Sequence, residues 1–509
     1  MDSLFILAPI VVPFIGGVSL LLLKTREDRI REIYSETIVI LTSVCVWLAL
    51  AYGSRDPVLI YSFTDGFSIN FRVDGPAILF AGMVSVLWPF AMLYAFEYMK
   101  EADHKRSFFG FYVMTYSVTL GIAFAADLVT MYVFFEMLTL VTLPLVSHYQ
   151  NHESQFAGRL YVAYCIGGAS LGFVAVIMGT LNGGGMFEYG GSLGDLFSPA
   201  LMRIMFLFGF FGFGTKAAVF PLFHWLPQAS AAPTPVTALL HAVAVVNSGV
   251  YAVIRLAWYA YGPELMRGST EQVICTGAAV FTLVFGAAMA LRERHFKRRL
   301  AYSTVSNLSY MLFGVLLMTP EGLLGGLTHM LFHSIIKMVL FLCAGAFMHV
   351  TGREYIYEIN GIGRKMPVTF TLYTLSALSL TGIPLFCGFI SKWKLLTAGI
   401  SSGQTVGLVG MAGLIISAFL CAMYTLNVSI RAFFPMKGTD RSGSGGIREA
   451  GVLMLIPICV FSVFNILFGV HPGPVISFLE KIAQGVILSL TQNTRDFNHE
   501  MNAQSETWL

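Results

Sequence analysis

The sequence predicts an all-α polytopic membrane protein with about fourteen transmembrane helices. Three observations predict it. The 509 residues are 56% hydrophobic and only 12% charged, about half the charge of a typical soluble domain, and the mean hydropathy is +0.73. The apolar residues come in long unbroken runs, and about 20 of them cross a bilayer as a helix. A helix satisfies its own backbone there, whereas a β-barrel would show short alternating strands. Finally, the basic residues crowd into every second loop.

Taken in order, the spans centre roughly at residues 13, 43, 85, 117, 137, 169, 211, 247, 281, 310, 336, 378, 418 and 460. Residues 1–105 hold helices 1–3. The first lacks a cationic start and a small-residue cleavage site, so it reads as a retained helix and not a signal peptide. Residues 106–260 hold helices 4–8, 261–432 helices 9–13, and 433–509 helix 14 and a C-terminal tail. The loops after odd-numbered spans, such as "KTREDRIR" (24–31), "RERHFKRR" (292–299) and "RAFFPMKGTDRSGSGGIR" (431–448), hold about 20 Lys and Arg, and the even loops with the tail about 6. The positive-inside rule then puts the odd-numbered loops in the cytoplasm, and the expected location is the cytoplasmic (inner) membrane of a prokaryote.

Other classes are excluded in turn. The net charge of +3 is explained by topology, and no aromatic-basic patch suggests nucleic acid. The cysteines (Cys45, Cys165, Cys275, Cys343, Cys387, Cys421, Cys459) are scattered with no C-x-x-C pair, which argues against an iron–sulfur cluster or structural zinc. They read as small buried apolar side chains, so no metal and no cofactor are expected in this chain. The longest polar loops, 53–73, 181–200 and 431–449, are too short for a soluble domain. "KGTDRSGSGGIRE" reads as a flexible cytoplasmic connector. "PGPVISFLEKIAQGVILSL" reads as an amphipathic interfacial helix or a short final span, and the last dozen residues as a polar, frayed tail.

Apart from the loop cations, five basic residues stand in apolar runs: Lys216, Arg255, Lys337, Lys392 and Lys394. Arg255 and Lys394 fall near helix ends, where a long cation can snorkel to the interface. Lys216 ("GFGTKAAVF"), Lys337 ("HSIIKMVLF") and Lys392 ("GFISKWKLL") fall deeper, with one acid, Glu136 ("YVFFEMLTL"). Each such charge costs at least about 2.5–3.5 kcal/mol, so four cost on the order of 10 kcal/mol, comparable to the stability of a whole domain. One acid cannot neutralise three lysines. Titrating sites for proton transfer are the alternative to buried salt bridges.

Histidines extend the pattern. "THMLFHSIIKMVLF" sets His329, His333 and Lys337 at i, i+4 and i+8, one helical stripe. His241, in "VTALLHAVAVV", adds a further imidazole in the eighth span. Imidazole carries a proton either way near neutral pH. Axial haem ligation is the rival use of such histidines, but no helix pair offers a matched set.

"PLF" occurs twice, at Pro221 and at Pro384, each in or at the end of a span that carries one of the buried lysines. Proline breaks the helix, and in lipid such a break survives where protein or water lines it. The two spans are the seventh and the twelfth. Five apart, they have opposite orientations, as in an inverted-repeat transporter with its ion path at the breaks.

Together these residues resemble a known family. "WLPQASAAPTPVTALLHAVAVVNSGVYAVIR" (225–255) is similar to the signature of the antiporter-like subunits of respiratory complex I, of Mrp sodium/proton antiporters and of membrane-bound energy-converting hydrogenases. The resemblance covers about spans four to thirteen. It implies fourteen helices with two inverted five-helix repeats and broken helices 7 and 12. It also implies a proton relay in which Glu136 pairs with Lys216, His241, His329, His333 and Lys337 form the centre, and Lys392 leads to the exit. Many members carry a Lys where this chain has Asn247, which shifts weight to His241. The chain is too short for the lateral helix of one complex I subunit, so the Mrp-type and hydrogenase-type subunits are the nearer matches.

The expected function is therefore a membrane-embedded ion-translocating subunit, not itself redox-active, of a multi-subunit complex. Its expected partners are other membrane subunits, the lipid bilayer, protons or sodium, and in a redox-driven assembly a peripheral iron–sulfur arm. A stand-alone cation/proton transporter, a scaffold that docks a redox arm, and a quinone or haem enzyme are the rivals.

Overall fold

The computed structural model describes residues 2–22, 27–64, 67–183, 185–435 and 448–486. Among these, eleven helices are long and apolar enough to cross a membrane, and the protein is a polytopic, mostly helical membrane protein. The N-terminal group is α1 (Asp2–Leu22), α2 (Asp28–Tyr52), α3 (Gly75–Tyr98), α4 (Lys105–Phe124), α5 (Leu128–Val146) and α6 (His152–Leu181). Side-chain caps start several of them. Asp74 accepts from Ala77 N at 3.1 Å ahead of α3, and Asp127 accepts from Thr130 N at 2.6 Å ahead of α5.

The middle is discontinuous. α7 (Pro199–Gly214) ends in a run of turns, followed by α8 (Trp225–Gln228), α9 (Thr234–Ala242), α10 (Val245–Ile254) and a π-helical turn over Arg255–Ala260. After the short α11 (Pro263–Met266) come α12 (Thr270–Arg292), α13 (Phe296–Leu316) and α14 (Pro320–Thr351). α15 (Pro367–Thr381) and α16 (Cys387–Ser401) form a second interrupted pair, before α17 (Thr405–Phe433), α18 (Val452–Val470) and α19 (Gly473–Ala483).

Burial orders these helices. The Thr234–Ala260 stretch is wholly enclosed and α14 nearly so, whereas α1, α2, α17 and α18 show most of their length to the outside. Outer helices meet apolar lipid, so their exposed Ile, Leu and Phe cost nothing. The enclosed helices carry the polar residues.

Several expectations are corrected. Residues 53–73 do not form a plain loop: β1 (Val58–Thr64) pairs antiparallel with β2 (Phe67–Phe71). The eighth span is broken too, between α9 and α10. Arg255 does not snorkel. It is fully buried, and its guanidinium donates to both carboxylate oxygens of Asp74 at 2.6 Å and to Tyr251 Oη. Within "RERHFKRR", two cations are not loop charges: Lys297 and Arg299 are 4% and 8% exposed. Lys394 lies at the rim, 3.2 Å from Glu480. At about 16 Å for its 11 residues, α19 is too short to span, so the short-final-span reading falls. The flexible connector (437–449) and the frayed tail fall largely outside the described residues.

Candidate functional site

The first break is built by small residues. A Cβ on Gly212 would lie 2.3 Å from Gly172 N, and one on Gly249 would lie 2.4 Å from Ala217 N. Glycine therefore lets α6 and α10 press directly on the interrupted chain. Ala218 has a φ of 54°, the left-handed region a non-glycine residue rarely takes. Trp225 Nε1 donates to Thr215 O at 2.8 Å. Lys216 sits inside this break, fully buried.

Lys216 Nζ donates to the carbonyl of Phe135 and lies 3.5 Å from the centre of the Phe135 ring. The neighbouring Glu136 is half-buried, and its Oε1 is enclosed without a hydrogen-bond partner. The Glu136–Lys216 ion pair that the resemblance implies is thus not closed. The two residues share a site, with the ammonium on the backbone one residue away from the carboxylate.

The second break has a similar plan. α15 ends at Thr381, Gly382 turns the chain at φ 100°, and Leu385, next to Pro384, has a φ of 78°. A Cβ on Gly388 would lie 2.0 Å from Ser379 O. Lys392, on α16, donates to Leu380 O at 2.6 Å and Thr381 O at 3.1 Å. It thereby caps the free carbonyl end of α15, where a cation is favoured by the helix dipole.

Between the breaks runs α14. Lys337 Nζ donates to Leu300 O at 3.0 Å and to Ser303 Oγ at 2.8 Å. The His329 and His333 rings are 5.8 Å apart. His329 Nδ1 pairs with Ser391 Oγ at 2.9 Å and Nε2 with Asn307 Oδ1 at 3.3 Å. His333 is fully buried and neither ring nitrogen has a partner. His241, near the end of α9, is also fully buried with both nitrogens free, and stacks on Phe341 at 4.8 Å. His333 lies within electrostatic reach of Lys337, His329, His241 and Lys392.

The structure therefore gathers His241, His329, His333, Lys337 and Lys392 in one enclosed centre, and brings Glu136 and Lys216 together at the first break. Sequence reasoning missed two contributors, Lys297 and Asp74, and read Asn247 only as the place of an absent lysine. Asn247 Nδ2 donates to Ala242 O and to Ser334 Oγ, both at 2.8 Å, so it ties the α9–α10 break to α14. Lys297 Nζ donates to Ala232 O at 2.9 Å, ahead of α9. Asp74 anchors Arg255. Lys297 carried no signal within a run of cations, whereas Asn247 stands out as a polar residue in an apolar span.

Known proteins share this architecture. The family described as "NADH:quinone oxidoreductase/Mrp antiporter, TM" matches residues 125–430. The chain is 30% identical over 447 residues to one Na(+)/H(+) antiporter subunit of Alkalihalophilus pseudofirmus, covering 80% of this chain and 53% of that protein. It thus spans about half the length of that relative. It is 26% identical over 502 residues to another Na(+)/H(+) antiporter subunit of the same organism, covering 96% and 98%. Its fold matches a chain of the membrane-bound sulfane sulfur reductase, an archaeal respiratory membrane complex, with a TM-score of 0.82 at 23% identity, covering 94% of this chain and 97% of that one. The family match takes in both breaks and every buried lysine of the centre, and the protein belongs to the family of membrane subunits shared by NADH:quinone oxidoreductases and Mrp antiporters.

Proposed function

We propose that this chain is the ion-translocating membrane subunit of a multi-subunit complex, moving protons along Glu136, Lys216, His241, His333, Lys337, His329 and Lys392. The observation that carries the reading is the set of ammonium groups enclosed without an ion-paired carboxylate among the described residues. Lys216, Lys337 and Lys392 rest instead on backbone carbonyls and one hydroxyl. Each costs at least about 2.5–3.5 kcal/mol in a membrane. Such a cost is sustained where the charge state has to change.

The steps follow from the contacts. When Glu136 approaches Lys216, the ammonium is favoured; when it turns away, only a carbonyl and a ring face hold the proton. The proton then passes to the free nitrogens of His241 and His333, and on to Lys337. His329, held between Ser391 and Asn307, passes it toward Lys392. Protons are the cargo in this reading, with sodium exchanged for them in an antiporter.

The architecture extends the proposal. Counting each broken pair as one crossing and adding α13 gives about fourteen crossings, with inverted repeats over 106–260 and 261–432. The odd-numbered loops face the cytoplasm of a prokaryotic cell. The chain works beside other membrane subunits and holds no redox group itself. The assembly is an Mrp-type antiporter or a redox-driven hydrogenase-like or complex I-like machine, and in the latter a peripheral iron–sulfur arm supplies the drive. The likeness of two antiporter subunits along most of this chain supports the first.

Proton flux into native membrane vesicles tests the reading. Lys216→Ala and Glu136→Ala are expected to assemble on native gels and to lose coupled flux. Flux at the wild-type rate in both would refute it. Native purification with paramagnetic resonance separates the assemblies: cluster signals mark a redox-driven complex, and only small membrane subunits mark an antiporter.

A further inference from the structure

The second break is held from outside the relay, by an outer helix. α18 carries no charge, and of its 19 residues only Ser462 and Asn465 bear a side-chain hydroxyl or amide. Ser462 bonds back to its own helix, at Ile458 O. Asn465 is fully buried and faces the break. Its Oδ1 accepts from Ser379 Oγ at 2.6 Å and from Cys387 Sγ at 3.1 Å. Ser379 belongs to the last turn of α15 and Cys387 opens α16, so one oxygen joins the two sides of the interruption. Ser379 Oγ in turn accepts from Gly388 N at 3.2 Å, one of the amides that a helix start leaves without an internal partner.

Two further contacts set α18 along the length of α15. Glu449, just ahead of α18, accepts from Val368 N at 2.8 Å and from Thr369 Oγ1 at 2.5 Å, at the start of α15. One turn beyond Asn465, Gly469 has no side chain, and a Cβ there would lie 2.3 Å from Leu385 O. α18 thus presses on the turn of the break itself. Lipid contact explains the apolar face that α18 shows at Val463, Leu467 and Val470. It does not explain an amide whose one oxygen serves both sides of the break.

Lys392 ties the same two ends by another route. Its ammonium bonds to Leu380 O and Thr381 O, directly after Ser379, and Gly388 lies one turn ahead of it on α16. That tie depends on the proton, because an amine offers the carbonyls one N–H fewer and no charge. The tie through Asn465 does not, because an amide does not titrate. We propose that Asn465 is a positioning residue, a clamp that keeps the carbonyl end of α15 turned to Lys392 while that lysine is uncharged, so that the next proton finds its seat in place; this rests on the proton reading above. The clamp itself passes no proton and breaks no covalent bond.

Asn465→Leu suits an apolar helix and removes the joining oxygen. In native vesicles holding the intact complex it should slow proton flux about tenfold, a barrier higher by about 1.4 kcal/mol, and Ser379→Ala should do the same. The double variant should be no slower than either alone, and Cys387→Ser, which keeps a donor to Asn465, should retain most of the rate. Two readouts separate clamping from plain support of the fold. Hydrogen exchange of residues 382–390 should quicken in Asn465→Leu while that of residues 215–224 does not. The nitrogen-15 signal of Lys392 in lysine-labelled complex should move while that of Lys216 stays. Wild-type flux in Asn465→Leu with none in Lys392→Met overturns the clamp and leaves the relay standing. Slowed flux with an unmoved Lys392 signal overturns the clamp as well. Wild-type flux in Lys392→Met overturns both clamp and relay.

Discussion

The two broken helices share a plan and differ in how their polar groups are spent. At the second break Lys392 caps two carbonyls, His329 has partners on both nitrogens, and neighbouring Lys337 makes two hydrogen bonds. At the first, Glu136 Oε1, Thr139 Oγ1 and both nitrogens of His241 have none. An enclosed polar group left without a partner costs about 1–3 kcal/mol. The first break therefore holds more of the free energy that a rearrangement can recover, although His333 on α14 and Tyr373 Oη on α15 are unpartnered as well. In this protein the first break is the place to look for a switch, and the second for a fixed conductor.

The largest expected effect breaks the comparison at its root. Glu136→Gln keeps the shape and removes the charge, so proton flux in vesicles should fall ~100-fold or more. Lys392→Met should stop flux as fully, yet leave the first break responsive to an applied gradient in hydrogen exchange of residues 215–224. Loss of that response in Lys392→Met would show that the two breaks act as one.

Next comes Arg255→Met, which removes the buried, two-pronged partner of Asp74 and leaves it only the ion pair with Arg72, 3.1 Å away. Removing one partner of a buried pair costs about 3–5 kcal/mol, which thermal unfolding in detergent would read as a clear drop in Tm. A smaller effect distinguishes the breaks by packing. Gly249→Ala drives a methyl group to 2.4 Å from Ala217 N and should cost about 1–3 kcal/mol. Flux should suffer more than stability, because the strained element is the one that moves. Gly388→Ala meets Ser379 O at 2.0 Å and should show the reverse balance. The smallest effect is Ser391→Ala, which removes one hydrogen bond from His329, about 1 kcal/mol, and should slow flux without stopping it.

Much of this was legible in the sequence because a charge in an apolar run is conspicuous. Lys216, Lys337 and Lys392 stood out for that reason, and Pro221 and Pro384 marked the helix ends. What escaped was whatever depends on distant chain. Asp74 and Arg255 are 181 residues apart, so nothing local shows that the arginine is paired. The α9–α10 break falls at Val243–Ala244, which carry no proline or glycine to announce it. Lys297 was hidden among neighbouring cations. The β-hairpin did leave a signal, Asp-Gly at 65–66 between β-prone residues. The open Glu136–Lys216 contact could not be read from residue types at all, since the same pair of side chains closes or opens with a small shift.

The central claim is that Lys216 changes its charge while the protein works. Nitrogen-15 resonance of lysine-labelled complex in membranes, with Lys216→Ala to assign the signal, reads that charge directly. The Lys216 nitrogen is expected to move between ammonium and amine as the gradient is applied, and Glu136→Gln to remove the response. A Lys216 signal fixed as ammonium under every gradient would contradict the claim.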